Sequence, residues 1–307
     1  MGKVVVSPAP HIWSGFSTKR IMYIVVLTLM FPTAGAIYFF GYYAIKVIVT
    51  SVVFAVLTEY AIKRFRKMDF VMDGSAIITG LLLALVLPPT LPLWMVAAGA
   101  IFSIAVAKEA FGGLGHNIFN PALAGRAFLT ACFSAEMTTW IAPEPGKVMF
   151  DAVTQATPLN KSFTWAGSKI ALYKSLFLGN VGGSIGETSA LLIIIGGAIL
   201  LALKIIDWRI PLSYIGTVAL LAFLLGKDPI FHVLAGGLML GAFFMATDYV
   251  TSPITAKGRI IFGIGAGIMT VAIRLFGGMP EGVCFSILFM NALNHIIDRY
   301  TKPQPYG

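Results

Sequence analysis

The sequence predicts an all-α integral membrane protein with about ten transmembrane helices, set as two five-helix halves of inverted orientation. Three observations carry this reading. Hydrophobic residues fill 58% of the 307 positions and charged residues only 11%, against about 25% charged in a soluble domain. Apolar runs of near-bilayer length recur along the chain, and the mean hydropathy is +0.87. Short motifs of the first half also return at matching places in the second. The apolar content excludes a disordered or fibrous chain. The net charge of +9 comes from Lys and Arg placed between apolar runs, which points to membrane orientation rather than nucleic-acid binding.

Taken in order, a polar, proline-containing segment at 1–20 reads as an N-terminal tail without a cleavable signal. The first half, 21–138, holds runs at 21–40, 44–62, 74–90, 92–108 and 120–138. The second run ends at the basic cluster Lys63-Arg64-Phe65-Arg66-Lys67. The third is short and stops at Pro88-Pro89; such a segment needs neighbouring protein to satisfy its backbone. A long loop spans 139–185. The second half, 186–298, holds runs at 186–204, 210–226, 229–248, 259–277 and 282–298, before a tail at 299–307.

Ten crossings place both termini on one side. If that side is cytoplasmic, the 22 Lys and Arg divide into 14 inside, 6 outside and 2, Arg126 and Arg274, within spans. The positive-inside bias therefore predicts cytoplasmic termini and puts loop 139–185 outside. Trp140, Phe163, Trp165 and an amphipathic piece near 168–178 predict a loop lying against the membrane surface. The internal repeat rests on two correspondences. Phe111-Gly112-Gly113 pairs with Phe276-Gly277-Gly278, and Gly80-Leu81-Leu82-Leu83 with Gly237-Leu238-Met239-Leu240. Five is odd, so two such halves insert with opposite orientation, and inverted repeats frame a site at their interface.

Four constellations carry chemistry. Asp151, Thr154, Thr157 and Pro158 read either as turn and capping residues or as an attachment point for a flavin. The segment 111–128 packs His116, Asn117, Asn120 and Arg126 into the entry of a span. Polar groups there mark a pocket, or else a helix-packing network in which Arg126 finds a carboxylate or carbonyl. The run 179–189 lacks a phosphate-loop lysine, but its Ser184-x-x-Glu187 spacing predicts a capping box opening the sixth span. A helix start there also attracts anions. Asp73, Glu109 and Asp248 end spans, where they read as solvated end charges or as part of an ion path. Cys132 and Cys284 form no CxxC pair, so no iron–sulfur or zinc site is expected, and both read as buried thiols.

Taken together these stretches resemble the NqrB/RnfD family, and the Rnf complex D subunits within it. The match runs through Leu87-Pro-Pro-Thr-Leu-Pro-Leu-Trp94, segment 111–128, Gly183-Ser-Ile-Gly-Glu-Thr-Ser189 and Phe243-Phe-Met-Ala-Thr-Asp248. It also includes Asp151 to Thr157, which follows a D-x-x-[ST]-G-A-[ST] flavin-transfer pattern. The short N-terminal tail favours the Rnf subunit over the longer reductase subunit. The resemblance implies a subunit of an ion-translocating ferredoxin:NAD+ oxidoreductase in the cytoplasmic (inner) membrane of a prokaryote, inactive alone. It implies FMN esterified to Thr157 by a separate flavin transferase on the outer side, with the other Rnf complex subunits (A, B, C, E, G) as partners. Gln155 replaces the usual Gly of the pattern, which is expected to slow the transferase. A second, non-covalent flavin (riboflavin or another) or a quinone-like site is suggested near Asn117, Asn120 and Arg126. Neither a catalytic residue nor a metal is assigned to the chain. The alternative from the spans alone is a channel or secondary transporter for a small solute.

Overall fold

The structure is a computed structural model that describes residues 17–147, 157–159, 167–277 and 282–302. Asp151, Thr154, Gln155, Phe163, Trp165 and Gly278 lie outside the described residues. The described residues are built from α-helices joined by turns. Among them, three helical stretches are long and apolar enough to cross a membrane: Thr18–Phe65, Leu93–Phe111 and Ala256–Phe276. The apolar helices Ser75–Leu85, Ala190–Ala202 and Arg209–Leu224 are shorter.

Helix α1 (Thr18–Phe65) starts where the Ser17 side chain accepts the Arg20 N–H. Its 48 residues would reach about 72 Å if straight, more than twice the hydrocarbon thickness. The chain resolves this by bending at Gly41, where φ is +52° and ψ −130°, a conformation that a side chain opposes. The predicted runs 21–40 and 44–62 are the two arms of this bend. The first arm carries α7 (Ala190–Ala202): a Cβ at Gly196 would meet the Thr28 carbonyl oxygen at 2.8 Å.

Helix α2 (Ser75–Leu85) packs on the second arm at backbone distance. The Ser51 hydroxyl donates to the Gly80 carbonyl (2.7 Å), and a Cβ at Gly80 would lie 2.7 Å from Val52 Cα. Small residues at such crossings let helices approach where lipid gives no hydrophobic drive. Helix α3 (Leu93–Ala105) continues through a turn of 3₁₀ helix to Phe111. Helix α4 (Pro121–Cys132) has Pro at its first position, and Asn120 caps it by accepting the Ala122 and Leu123 N–H groups. A short α5 (Ser134–Met137) follows. The amphipathic piece near 168–178 is helix α6 (Lys169–Leu178), which buries only Leu176.

In the second half α8 (Arg209–Leu224) packs along α11 (Ala256–Phe276), and α12 (Val283–Thr301) packs on α11. On α11, Gly263, Gly267, Thr270 and Arg274 face inward, while Ile260, Ile264 and Ile268 are exposed. The molecule thus shows apolar side chains to its surroundings and keeps several charges inside.

Some expectations are corrected. The eighth run is not one helix: α9 (Pro229–Leu234) ends, 235–237 is irregular, and α10 (Leu238–Leu240) leads into a π-helical turn at Gly241–Met245. Gly236, at φ +70°, turns the chain. The capping box does not form, because α7 begins only at Ala190, with Ser189 at its N-cap. Ser184 instead accepts the Glu187 N–H on its carbonyl (3.1 Å), inside a turn. Cys132 is exposed, whereas Cys284 is buried. Helix α12 runs to Thr301, into the stretch expected as tail. The third run forms a single helix that ends at Leu85, and the fifth is split between α4 and α5.

The close crossing at Gly80 sets a test. Gly80→Ala should destabilise the purified protein by about 1–3 kcal/mol, since its Cβ meets backbone that cannot yield. Gly216→Ala on α8, where a Cβ meets nothing within 4 Å, should be neutral or stabilising by up to about 1 kcal/mol. Thermal unfolding in detergent compares the two.

Candidate functional site

Two interrupted helices expose backbone groups inside the molecule, and each is repaired by a distant segment. At the end of α2, the Ile185 N–H donates to the Leu87 carbonyl (3.0 Å) and the Gly186 N–H to the Leu85 carbonyl (2.7 Å). At the end of α9, Arg274 Nη1 donates to the His232 carbonyl (2.5 Å) and Nη2 to the Ala235 carbonyl (3.1 Å). An unpaired carbonyl at such depth would be costly. The two repairs meet around Glu187. Its carboxylate accepts Arg126 Nη1 at 3.0 Å, and it lies so close to Gly237 that a Cβ there would overlap Oε1. Arg126 thus finds the carboxylate that the packing-network reading called for.

Thr157 sits against this junction. It is 3% exposed, and its Oγ1 has no hydrogen-bond partner among the described residues. A small cavity beside it is walled by Val181, Gly182, Gly183, Glu187 and Gly236. A Cβ at Gly183 would meet nothing within 4 Å, and one at Gly236 would lie 3.3 Å from Arg274 Nη2. The threonine hydroxyl therefore faces a glycine-walled space with the Glu187 carboxylate on its wall and the guanidinium groups of Arg126 and Arg274 behind that wall. A phosphoester on Oγ1 fits this donor set. The cavity is far too small for a tricyclic ring, so a flavin joined there would extend beyond it.

Asn117 and Asn120 line a different cavity, of about 100 Å³, with Lys108, Thr247 and Asp248. Arg126 is not among its walls; it lies further along α4 and faces Glu187. Asn120 links α4 to the π-helical turn and to α12. Its backbone N–H donates to Asn291 Oδ1 (3.1 Å) and its Nδ2 to the Met245 carbonyl (3.3 Å). Asn291 Nδ2 in turn donates to the Thr251 carbonyl (3.1 Å). Asn117 Nδ2 donates to the Phe119 carbonyl (3.1 Å).

Lys108, at 2% exposure, is the cation of this second cavity. It donates to Glu59 Oε1 (3.1 Å) and to the Ser75 hydroxyl (2.6 Å), which donates to Asp73 Oδ1 (2.6 Å). Glu59 also pairs with Lys63 at 2.7 Å. Glu109 is buried rather than solvated, with Arg66 at 3.5 Å. The sequence placed Lys108, Glu109 and Glu187 at span ends, where water normally reaches. Only the packing reveals that they are enclosed. Asn291 carried no sequence signal beyond being an amide inside an apolar run.

Broken helices repaired from afar, buried charge pairs and an apolar exterior define a multi-pass membrane protein with a polar interior. The chain belongs to the NQR2, RnfD, RnfE family, which it matches over residues 5–307. It is 47% identical over 318 residues to the D subunit of the proton-translocating ferredoxin:NAD(+) oxidoreductase complex of Clostridium ljungdahlii, covering 98% of this chain and 96% of that protein. It is also 47% identical over 307 residues to the D subunit of the Na(+)-translocating ferredoxin:NAD(+) oxidoreductase complex of Acetobacterium woodii, covering 99% and 95%. The D subunit of an ion-translocating oxidoreductase complex of Methanosarcina acetivorans is 39% identical over 309 residues, covering 100% and 98%.

The Arg126–Glu187 pair predicts strong non-additivity. Arg126→Ala should cost about 3–5 kcal/mol, because it strands a buried carboxylate. The double variant Arg126→Met/Glu187→Gln should lose less than the sum of its single changes. A double-mutant cycle on unfolding midpoints in detergent measures this.

Proposed function

We propose that the chain is the D-type subunit of an Rnf-type ferredoxin:NAD+ oxidoreductase, carrying FMN esterified to Thr157. Electron transfer through it drives Na+ or H+ across the membrane. The observation that carries the reading is the buried Thr157 hydroxyl, unpartnered among the described residues, at the last position of the flavin-transfer pattern. The relatives' names support electron transport over solute transport, and the equal identity to a proton-translocating and a Na+-translocating relative leaves both ions in the proposal.

When bound, FMN supplies one- and two-electron redox chemistry. The chain's own residues supply its surroundings. Arg126, held by Glu187, and Arg274, held on two carbonyls, place guanidinium donors near the Thr157 cavity. In this enclosed setting a change of one unit of charge acts over several ångströms. The nearest elements able to respond are the repaired ends of α2 and α9, which share Glu187 and Gly236–Gly237. A second flavin, not covalently held, is proposed near the cavity of Asn117 and Asn120, which at about 100 Å³ must widen to admit a ring; Lys108 on its wall stays held by Glu59 and Ser75. Arg126 acts at the Thr157 site instead.

The proposal sets the protein in the inner membrane of a prokaryote, termini cytoplasmic, with loop 139–185 outside. The other complex subunits (A, B, C, E, G) and a flavin transferase complete the system. The positive-inside distribution supports the orientation. The motif correspondences between the halves support an inverted repeat.

Thr157→Ala should remove the ultraviolet-fluorescent flavin band from a denaturing gel of the co-expressed complex. Thr157→Ser should keep it, and Gln155→Gly should raise the modified fraction read by intact mass. A band that persists in Thr157→Ala would refute the attachment. Acid precipitation of the purified protein should leave one flavin bound and release a second; release of none removes the second site.

A further inference from the structure

A larger cavity, of about 580 Å³, adjoins the cavity of Asn117 and Asn120, sharing Ile205, Ile206, Thr247 and Tyr249 with it, and opens between the end of α7 and the starts of α8 and α11. Its polar wall is Lys204, Asp207, Ser252 and Arg259, and its rim is Trp208 and Tyr249. Lys204, Asp207, Trp208 and Arg259 take no part in the sites described above.

The wall is built around Asp207. Its carboxylate accepts the Arg209 N–H (2.9 Å), Arg209 Nη1 (2.8 Å) and Arg259 Nη1 (2.6 Å). Burial pushes this carboxyl up, but those hydrogen bonds outweigh burial and hold it below the usual carboxylate range. Arg259 Nε is fixed on the Pro253 carbonyl at 3.1 Å. A guanidinium has five donors, so Arg259 is oriented with donors to spare. Lys204 has no carboxylate within ion-pair distance among the described residues. Among the described residues the wall carries two cations, Lys204 and Arg259, against the one carboxylate of Asp207, which Arg209 shares from outside the wall.

Lys204 also holds an unusual backbone. Its φ is +55°, at the turn that ends α7, where its N–H donates to Leu201 and the Ile205 N–H to Leu200. Glycine is the common residue at such a helix end. A lysine here brings a cation to the cavity wall from a backbone that disfavours it.

The surroundings identify the ligand class. Trp208 and Tyr249 are half exposed, as amphipathic rings are at a membrane–water boundary. Leu203, Leu212 and Ile261 extend the exposed surface in apolar form. A cationic cradle beside lipid-facing apolar surface matches a phosphodiester that carries acyl chains.

We propose that Lys204 and Arg259 hold the phosphate of an anionic phospholipid in this cavity, with its acyl chains along the adjoining helix faces. The shared chemistry is a phosphate; the lipid is favoured as its source because the cradle opens beside apolar surface.

The test uses the full chain in non-ionic detergent, with thermal unfolding followed by native mass spectrometry. Phosphatidylglycerol should raise the unfolding midpoint by several degrees and leave one bound lipid; phosphatidylcholine and inorganic phosphate should do neither. Lys204→Gly should match or exceed the wild-type midpoint without lipid, because glycine suits the backbone, yet lose at least half of the lipid-induced shift. Lys204→Gln should lose the same share, and Lys257→Gln, near the start of α11 but outside the cavity wall, should keep the full shift. Equal stabilisation by phosphatidylcholine overturns the proposal, as does a full lipid shift in both Lys204 variants. A shift reproduced by inorganic phosphate alone overturns the lipid assignment in favour of a free anion.

Discussion

Every backbone group that an interrupted helix releases inside this protein must find a partner within the protein. That constraint organises the rest. The broken end of α2 is closed by the N–H groups of Ile185 and Gly186, and the broken end of α9 by the guanidinium of Arg274. Both repairs come from segments far away in sequence, and both converge on Glu187 and the 235–237 break. The cavity beside Thr157 is the space left where they meet. Its electrostatic character follows from the same contacts, since Arg274 repairs a helix and Glu187, in the repairing segment, holds Arg126.

The enclosed charges explain the rigidity expected of this centre. Arg126 and Glu187 form one buried pair, and Lys108 with Glu59, Ser75 and Asp73 forms a second network. A buried ion pair contributes little net stability compared with apolar residues of the same shape, yet breaking it from one side is severe. Such pairs therefore hold a particular arrangement more than they stabilise the fold. Asn120 extends this logic across the two halves: it caps α4, donates to the π-helical turn and binds Asn291 on α12. Displacing any one of these elements must disturb the others.

Much of the fold was legible because periodicity and length are local properties. The bend of α1 at Gly41 lies between the apolar runs 21–40 and 44–62. The helix at 168–178 and the short third helix, ended just before Pro88-Pro89, also follow from nearest-neighbour chemistry. The failures have a common origin. Ser184-x-x-Glu187 has the spacing of a capping box, but Glu187 is claimed by Arg126 and the local motif loses to a buried charge. The eighth run is mostly apolar on either side of Gly236-Gly237, so hydropathy alone could not show the break that Gly236 introduces. Glu109 and Lys108 stand at span ends in the sequence, and only neighbouring helices exclude water from them.

The sequence by itself determined the solvent, the placement of the apolar runs and the family resemblance, and it pointed to Thr157 as the candidate attachment point. Composition, periodicity and contiguous motifs contain that information directly. The tertiary structure decided which polar groups share a site. It separated Arg126 from Asn117 and Asn120, joined Arg126 to Glu187 and Arg274 to the end of α9, and built a cationic cavity around Lys204 and Arg259. Those pairings link residues 39 to 61 positions apart. They are fixed by the need to neutralise charges and pair backbone groups away from water, a demand that exists only once the helices have packed.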